Sequence, residues 1–374
     1  MIPYSRQSIN EDDIVAVEKV LRSDFLTQGK VVADFERALA ARAKTRFAVS
    51  VSSGTAALHL AYQVIGLKEG DEIITSPNTF AATVNMAVAC GARPAFVDIR
   101  PDTRNINEAD IEARITKRTR AIVPVHFGGH PCEMDAILTI AKKHNIPVIE
   151  DACHAIGAEY RGKSIGGLSD MTVFSFHPVK PITTGEGGAI LTNSEEHYQK
   201  MLLLRTHGIV KNPTQREIVG GWFYEMKALG WNYRITDIQC ALGLSQLKRL
   251  DEFQAKREAV ANYYFEKLKN ESRIILPVRL PDIKHSWHLF AIEIKDTTKR
   301  KTVFYHLQKN GIGVQVHYIP VHYQPYYQKL GYGKERYPNT ESYYAGAMSL
   351  PIYPDLTKAD QDFVTQKLHE ALNG

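Results

Sequence analysis

A lysine lies between an apolar segment and a glycine-rich turn near the middle of the chain. The segment FSFHPVKPITTGEGG, residues 174–188, places Lys180 just beyond a predicted apolar strand. A partly desolvated lysine has a lowered pKa, so its neutral amine becomes available as a nucleophile. A lone lysine near a strand end is usually a surface residue, however, and the glycines alone are typical of a simple turn. Lys180 is therefore a candidate for covalent chemistry that needs support from other residues.

Two further segments follow predicted strands and carry groups that bind anions or cations. SSGTAAL, residues 52–58, opens a helix whose free N–H groups favour a phosphate, and Ser53 and Thr55 add hydroxyl donors. EDACHA, residues 150–155, places Asp151 at the C-terminal end of a parallel strand, where doubly wound sheets bind ligands. Alone, the first segment is equally well explained as a capped helix, and the aspartate as a helix cap.

A fourth segment, GWNYR at residues 230–234, lies between predicted helices. Asn232 can donate to a phosphate oxygen and Arg234 can pair with a carboxylate or phosphate, although the segment alone is typical of an ordinary loop. Pyridoxal-phosphate (PLP) chemistry needs a lysine for a Schiff base, an acid facing the pyridine nitrogen, a phosphate cup and a group over the ring. The sequence supplies a candidate for each, which favours PLP as the cofactor.

The elements that must position these residues alternate along the first two-thirds of the chain. Hydrophobic periodicity predicts helices at 55–66, near 80–90 and over MDAILTIAKKHN, between strands at 46–52, 71–76, 93–99, 120–126 and 146–151. Such alternation indicates right-handed βαβ units and a mainly parallel sheet in an α/β fold. The segments 171–176 and 188–193 are too close for an intervening helix, so we expect them to pair locally.

The last third of the chain predicts a smaller α+β domain. Residues 237–270 read as helical, followed by strands at 288–294 and 314–318, a helix near 298–309 and a final helix ending near Leu372. We therefore expect a large domain at 1–250, which includes an N-terminal substrate-contacting segment, and a small C-terminal domain at 251–374.

The composition favours a soluble globular protein of the cytoplasm. Hydrophobic residues make up 44% and charged residues 23% of 374 residues, and the net charge of +5 is scattered, so we expect no nucleic-acid partner. The chain has no apolar leader and no apolar run of membrane-spanning length, so we expect no membrane association. Four separated cysteines predict neither disulfides nor a zinc site, and the paired histidines lack acidic partners at ligand spacing, so no metal is expected.

Five segments together resemble the fold-type I, DegT-type sugar aminotransferases: SSGTAALHLA, PNTFAAT, EDACHAIGAEYRGKSIGGLSD, FSFHPVKPITTGEGGAILTN and GWNYRITDIQCALGLSQL. The resemblance covers nearly the whole chain. It implies an aspartate-aminotransferase-like fold with a mainly parallel, seven-stranded type of sheet, and a homodimer with shared active sites. It also implies transfer of an amino group from an amino acid, usually glutamate, to a nucleotide-linked keto-sugar.

Residue roles follow from the same resemblance. Lys180 resembles the Schiff-base lysine, and Asp151 the acid that keeps the pyridine nitrogen protonated. Phe80 matches the aromatic residue stacked on the ring, and Asn232 a phosphate contact from the neighbouring subunit. His154 stands where many members carry Gln, beside the 3-hydroxyl of the cofactor. The implied cofactor contacts are Ser53, Gly54, Thr55, Phe80, Asp151, His154, Ser175, Lys180 and Asn232.

A narrower resemblance concerns the substrate. Pro181 after the lysine, SDFLTQGK near the start and GIGVQVHYIPVHY near the end resemble the pseudaminic-acid branch, whereas VPVHFGGHPCEM resembles the general family. That branch aminates C4 of UDP-2-acetamido-2,6-dideoxy-β-L-arabino-hex-4-ulose to give UDP-4-amino-4,6-dideoxy-N-acetyl-β-L-altrosamine. The implied substrate contacts are Tyr4, Asp24, Phe25, Leu26, Thr27, Gly54, Arg234, Gln315, Val316, His317 and Tyr318.

Three alternatives stay open at this point. In the first, the protein is an aminotransferase for another UDP-, GDP- or dTDP-linked 4-keto sugar. In the second it is a PLP sugar dehydratase, and in the third it is a non-catalytic sensor. Lys180 argues against a dehydratase, because the best-known sugar dehydratases of this family carry His there. The complete set of lysine, aspartate and phosphate cup, without an appended helix-turn-helix, argues against a sensor.

Overall fold

Thirteen α-helices and fifteen β-strands make up the computed structural model, which describes all 374 residues. The helices are α1 Glu11–Leu21, α2 Lys30–Ala43, α3 Gly54–Val64, α4 Ala82–Ala89, α5 Met134–His144, α6 Glu195–Arg205, α7 Pro213–Val219, α8 Asp237–Lys248, α9 Leu250–Leu268, α10 Arg300–Lys309, α11 Pro325–Lys329, α12 Pro338–Gly346 and α13 Lys358–Asn373. The strands are β1 Phe47–Val51, β2 Glu72–Thr75, β3 Arg93–Phe96, β4 Thr119–Ile122, β5 Ile149–Asp151, β6 Glu159–Tyr160, β7 Lys163–Ser164, β8 Met171–Ser175, β9 Gly188–Thr192, β10 Ile209–Val210, β11 Glu225–Met226, β12 Ile274–Ile275, β13 Ile283–Lys284, β14 Phe290–Ile294 and β15 Ala347–Leu350.

The centre of the molecule is a seven-stranded sheet in the order β1–β9–β8–β5–β4–β2–β3. Four strands and three strands form two ladders, and parallel bridges from Ile122 to Val148 and from Val125 to Asp151 join them. Strand β9 is antiparallel to both of its neighbours, and the other six strands run the same way. The predicted mainly parallel α/β sheet is confirmed, and so is the local pairing of residues 171–176 with 188–193.

Burial on both faces explains why these strands read as continuous apolar runs. Residues 188–192 of β9 are all buried, and two large apolar clusters lie against the sheet, one including Phe35 and Phe174, the other Tyr62 and Ile190. Because the parallel strands point the same way, the ends of β1, β5 and β8 meet at one edge of the sheet. The candidate residues that follow those strands are thereby brought together.

The C-terminal region forms a second, antiparallel sheet in the order β12–β14–β15. Helices α9, α10 and α13 contribute to its core, which runs from Val260 to Leu372. Helix α9 belongs to both regions, since Leu250 and Phe253 lie in the core of the first. The division at residue 250 fits this arrangement and stays a prediction.

The predicted strand at 314–318 is wrong. Only Gln315 pairs there, through an isolated bridge to Ser349. The carbonyl of His317 instead accepts a hydrogen bond from the Tyr343 hydroxyl at 2.8 Å, and Val316 packs on the aromatic cluster around Phe127. Side-chain contacts therefore replace the β-sheet hydrogen bonds that the alternating apolar residues at 314–318 suggested.

The first residues of the chain tie the two regions together. Ile2 bridges to Ile312, and the carbonyl of Tyr4 accepts from the backbone N–H of Ile352 at 2.9 Å. The Ser5 hydroxyl donates to the carbonyl of Val179 at 3.2 Å, next to the candidate lysine. No helix is long and apolar enough to span a lipid bilayer.

Candidate active site

A cleft of about 390 Å³ opens at the edge of the central sheet where the parallel strands end. It lies between the two regions of the molecule and collects residues from distant parts of the sequence. Eleven of the predicted site residues line it: Tyr4, Ser53, Gly54, Thr55, Phe80, Asp151, His154, Ser175, Lys180, His317 and Tyr318. The structure thus brings together most of the set that the sequence predicted.

Lys180 lies in the loop that follows β8, where its backbone N–H donates to the carbonyl of His177 at 2.9 Å. Burial lowers the pKa of the lysine, and the neighbouring Cys153 and Asp151 partly oppose that shift. A larger fraction of its amine is therefore neutral near pH 7 than in an exposed lysine. The lysine therefore lies in the cleft with a pKa that suits a nucleophile, and its role as the nucleophile stays a prediction.

Asp151 ends β5 and is held in one orientation. Its Oδ2 accepts from the Thr83 hydroxyl at 2.6 Å, and its Oδ1 accepts from the backbone N–H of Cys153 at 3.2 Å. The hydroxyls of Thr79 and Thr83 are 2.7 Å apart, and the Tyr62 hydroxyl donates to the carbonyl of Thr83 at 2.8 Å. A carboxylate fixed in this way can bind a protonated ring nitrogen of a molecule in the cleft.

The N-terminus of α3 forms a narrow cradle at the floor of the cleft. Gly54 opens the helix, so its N–H group has no intrahelical partner and can point at an anion. A side chain at this position would come within 2.9 Å of the Ser175 side chain, and one at Gly188 within 2.5 Å of the carbonyl of Ser53. The segments that carry Ser53, Ser175 and Gly188 can approach one another this closely only because these two residues are glycines.

Aromatic and imidazole rings form the opposite wall. The Phe80 ring is 60% exposed at the mouth of the cleft and lies 6.0 Å from the ring of Tyr318, which leaves it free to stack on a planar ligand. The Tyr318 hydroxyl is 3.0 Å from His154 Nε2, and the backbone N–H of Gly128 donates to His154 Nδ1 at 3.2 Å. Since Nδ1 accepts, Nε2 carries the proton and donates to Tyr318. Burial and the nearby Lys180 hold the pKa of His154 well below its usual range.

Tyr4 and His317 meet in the cleft although they lie at opposite ends of the chain. Their rings are 5.7 Å apart, and His317 Nδ1 is 2.8 Å from the Ser349 hydroxyl. Burial, with a further contribution from Lys180, lowers the pKa of His317 to about 4. It is therefore a neutral hydrogen-bonding group at physiological pH.

Another set of predicted residues lies outside this cleft, on a neighbouring surface. Thr27 bridges to Thr236, and the carbonyl of Leu26 accepts from the backbone N–H of Asp237. This pairing brings the exposed stretch 24–27 beside the segment that carries Asn232 and Arg234. Gln315 and Val316 also lie outside the cleft, the former in its bridge to Ser349 and the latter in the aromatic cluster.

Other residues of the cleft were not predicted. Thr79, Thr83, Cys153, His177, Glu186 and His288 all line it. The i, i+4 spacing of the two threonines in the PNTFAAT segment was a usable signal, since residues four apart lie on the same face of a helical turn. His288, just before β14, carries no such signal in the sequence. No three His, Cys, Asp or Glu side chains are grouped to hold a metal ion.

Comparisons with known proteins agree with this geometry. The profile of the DegT/DnrJ/EryC1/StrS aminotransferase family matches residues 7–369. The UDP-4-amino-4,6-dideoxy-N-acetyl-beta-L-altrosamine transaminase of Campylobacter jejuni serotype O:23/36 is 43% identical over 378 residues, which cover 100% of this chain and 98% of that protein.

Two solved structures superpose along the full chain. Helicobacter pylori PseC, described as an aminotransferase involved in the biosynthesis of pseudoaminic acid, has a TM-score of 0.94 at 36% identity, covering 100% of this chain and 99% of its own. The PLP form of the putative sugar aminotransferase Spr1654 from Streptococcus pneumoniae has a TM-score of 0.93 at 29% identity, covering 100% and 98%. The predicted family and fold are confirmed: this chain belongs to the DegT/DnrJ/EryC1/StrS aminotransferase family.

Proposed function

We propose that this protein uses PLP to transfer the amino group of L-glutamate to C4 of UDP-2-acetamido-2,6-dideoxy-β-L-arabino-hex-4-ulose, giving UDP-4-amino-4,6-dideoxy-N-acetyl-β-L-altrosamine for pseudaminic acid synthesis. The observation that carries the proposal is one cleft that holds the Lys180 amine, the Asp151 carboxylate and the α3 cradle together. The similarity to the Campylobacter jejuni transaminase supports the choice of sugar.

The residues of the cleft fit PLP group by group. The α3 cradle with Ser175 would bind the phosphate, and Asp151 would bind the ring nitrogen. Phe80 would stack on the ring, and Lys180 Nζ would carry the covalent link. When bound, PLP supplies an electron sink for the charge left when an amino acid loses its Cα proton.

Lys180 would have a second role as the base of the cleft whenever its amine is free. Its free Nζ then takes the Cα proton of glutamate and delivers a proton to the sugar carbon in the second half-reaction. The lowered pKa of this lysine favours the neutral form that accepts a proton. The Asp151 carboxylate would stay aimed at the ring nitrogen during both steps, because its two oxygens are held by Thr83 and by the backbone of Cys153.

The proposal is tested by incubating the purified protein with PLP, L-glutamate and a panel of UDP-, GDP- and dTDP-linked 4-keto sugars. We expect 2-oxoglutarate and an amino sugar in equal amounts, and fastest with the UDP-linked L-arabino sugar. Faster turnover of a GDP- or dTDP-linked sugar would instead support the second candidate, an aminotransferase for another nucleotide. Elimination without amino transfer would support a dehydratase, and no turnover with any sugar would contradict an enzymatic role.

Tyr4 and His317 provide a test of sugar recognition. We expect Tyr4→Phe and His317→Ala to slow the sugar half-reaction by about 5- to 100-fold, because each loses one buried hydrogen-bonding group worth about 1–3 kcal/mol. The glutamate half-reaction should change little. The measurement follows 2-oxoglutarate formation in a single turnover, and then loss of the amino group to the keto-sugar.

A matched control for these variants is Tyr305→Phe, since Tyr305 is 58% exposed on α10 and far from the cleft. It should leave both half-reactions unchanged. Equal damage to both half-reactions in the Tyr4 and His317 variants would point to a general loss of structure and contradict a role in sugar recognition.

We also propose that the protein is a homodimer with shared active sites. The surface formed by residues 24–27 and 230–234 displays predicted ligand-binding residues outside the cleft of their own chain. Phe25 is 64% exposed and Leu26 is 47% exposed there, and further exposed apolar side chains on the neighbouring part of the chain are Trp222, Tyr224, Met226 and Leu229. A two-fold partner would cover them and bring Asn232 and Arg234 to the other cleft.

Subunit mixing tests this arrangement. Lys180→Ala and Asn232→Ala should each be nearly inactive alone, and a mixture should recover about one quarter of the wild-type activity, since about half of the dimers are mixed and one of their two sites is intact. Lys180→Ala mixed with Asp151→Ala is the control, because both residues serve the same cleft and no site is restored. Proven exchange without recovery would place Asn232 in its own chain's site.

We further propose a cytoplasmic location. All four cysteines are free, which suits a reducing compartment.

A further inference from the structure

His288 is a buried cleft residue with no hydrogen-bond partner in the protein. It lies just before β14, lines the cleft and is only 2% exposed. Its Nδ1 is completely buried and unpaired. A buried polar group without a partner costs about 1–3 kcal/mol, so such a group at a ligand site is best explained by a partner that arrives with the ligand.

The neighbouring imidazole, that of His154, already has hydrogen-bond partners within the protein. The rings of His154 and His288 lie 4.4 Å apart, but both nitrogens of His154 are bonded within the protein, one to the backbone of Gly128 and one to the Tyr318 hydroxyl. A neutral imidazole has one donor and one acceptor. In this arrangement His154 therefore has no proton left to offer a ligand, whereas neither nitrogen of His288 is hydrogen-bonded within the protein.

The surroundings of His288 favour an anionic ligand. Arg257 is fully buried without a carboxylate partner, and its Nη1 donates to the carbonyls of Trp287 and Ile352 at 3.1 Å each. The bond to Trp287 fixes the backbone directly before His288, and the guanidinium places an unneutralised positive charge near the His288 ring. Burial, followed by the effects of His154, Lys180 and Arg257, holds the pKa of His288 well below its usual range, so the ring is neutral and keeps an N–H donor.

We propose that His288 is a ligand-binding residue of the cleft, and that its ring N–H donates a hydrogen bond to a negatively charged oxygen of a bound molecule. The inference rests on the proposed function, which offers two such oxygens: the 3-oxygen on the cofactor ring and a carboxylate of the amino donor. His154 then acts as a positioning residue that orients Tyr318 and packs against the ring of His288.

The test compares His288→Leu, which removes the donor, with His288→Gln, which retains an N–H donor. The matched control is His285→Gln, because His285 lies three residues earlier, stacks on Trp287 at 3.9 Å and does not line the cleft. Thermal melting checks that all three variants fold. Two readouts follow: a pH titration of the visible absorbance of the PLP-loaded protein together with its dissociation constant for PLP, and the glutamate concentration dependence of the first half-reaction.

The two readouts separate the two oxygens. If the partner is the cofactor oxygen, His288→Leu shifts the spectral pKa and weakens PLP binding about 10- to 100-fold, as expected for a lost hydrogen bond to a charged group. If the partner is the donor carboxylate, the spectrum is unchanged and half-saturation by glutamate rises by a similar factor. In either case His288→Gln should recover part of the loss, and His285→Gln should resemble the wild type.

Two outcomes would overturn the inference. One is a folded His288→Leu protein with an unchanged spectrum, PLP affinity and glutamate dependence. The other is an equal defect in His285→Gln, which would reveal a general effect on the segment. Failure of the proposed function is distinguishable, because the wild-type protein itself would then neither bind PLP covalently nor react with glutamate.

Discussion

Replacing Lys180 by alanine is expected to abolish amino transfer, which is the largest effect of any single substitution in this protein. The proposed function gives this lysine two roles, since it would anchor the cofactor and then move the proton of the amino acid. Loss of proton transfer alone typically slows a reaction 10²- to 10⁴-fold. Among the residues that line the cleft, Lys180 is the only lysine, so no neighbouring amine can replace it.

The measurement is reduction with borohydride followed by mass spectrometry of the intact protein. Wild-type protein should retain one covalently bound cofactor per chain, and Lys180→Ala should retain none. Lys163→Ala is the control, because Lys163 is exposed on the short strand β7 of the same region, and it should behave like the wild type. Covalent retention of cofactor by the Lys180 variant would show that the anchor is another residue.

The central sheet could be predicted because its strands and helices show in the hydrophobic pattern of consecutive residues. Strands buried on both faces, such as β1 and β9, must be mainly apolar rather than alternating. Helix α5 shows the 3.6-residue period of one buried face, with Met134, Ile137 and Ala141 buried. The position of the cleft then follows, because ligands bind where parallel strands end. Lys180 and Asp151 could be placed for the same reason.

Contacts between distant segments could not be predicted in this way. The stretch at 314–318 has the alternating hydrophobic pattern of a strand. The carbonyl of His317, however, accepts a hydrogen bond from the Tyr343 hydroxyl instead of from a neighbouring strand. The helix α1 is fixed by a buried Asp13 that binds Gln246 and Arg249, and neither partner is near it in sequence. His288 has no hydrogen-bond partner in the protein, and both nitrogens of the neighbouring His154 are bonded to Gly128 and Tyr318. Such features depend on contacts between residues far apart in the sequence, and the hydrophobic periodicity of the chain carries no information about them.

The predicted ligand residues form two groups, one in the cleft and one on a separate surface, and sequence patterns alone could not predict where either group lies. Tyr4 and His317 converge because the N-terminus pairs with residues 311–313, and the family resemblance rather than any local pattern suggested this. Residues 24–27 and 230–234 also converge, but on a surface outside their own cleft. A single-chain pattern cannot distinguish a residue that serves its own cleft from one that serves a partner's, and this is why subunit mixing is informative.

Replacing Asp151 by asparagine is expected to slow both half-reactions by about 100- to 1000-fold, the range seen when one preorganised electrostatic group is removed. Asparagine has the same shape, and its oxygen can accept from the backbone N–H of Cys153 while its amide donates to the Thr83 hydroxyl, so the change removes the charge with little loss of structure. A 100-fold effect corresponds to about 2.7 kcal/mol, or about two pKa units at the ring nitrogen. The ring nitrogen would lose its proton, and with it the strong attraction for electrons that both half-reactions need.

The measurement for Asp151→Asn is the single-turnover rate with glutamate, accompanied by thermal melting. Thr83→Val is the companion variant, because it releases one oxygen of Asp151 but keeps the carboxylate. We expect a much smaller loss in Thr83→Val than in Asp151→Asn. Rates for Asp151→Asn within threefold of the wild type, in a folded protein that binds PLP, would contradict the assignment of this carboxylate to the ring nitrogen.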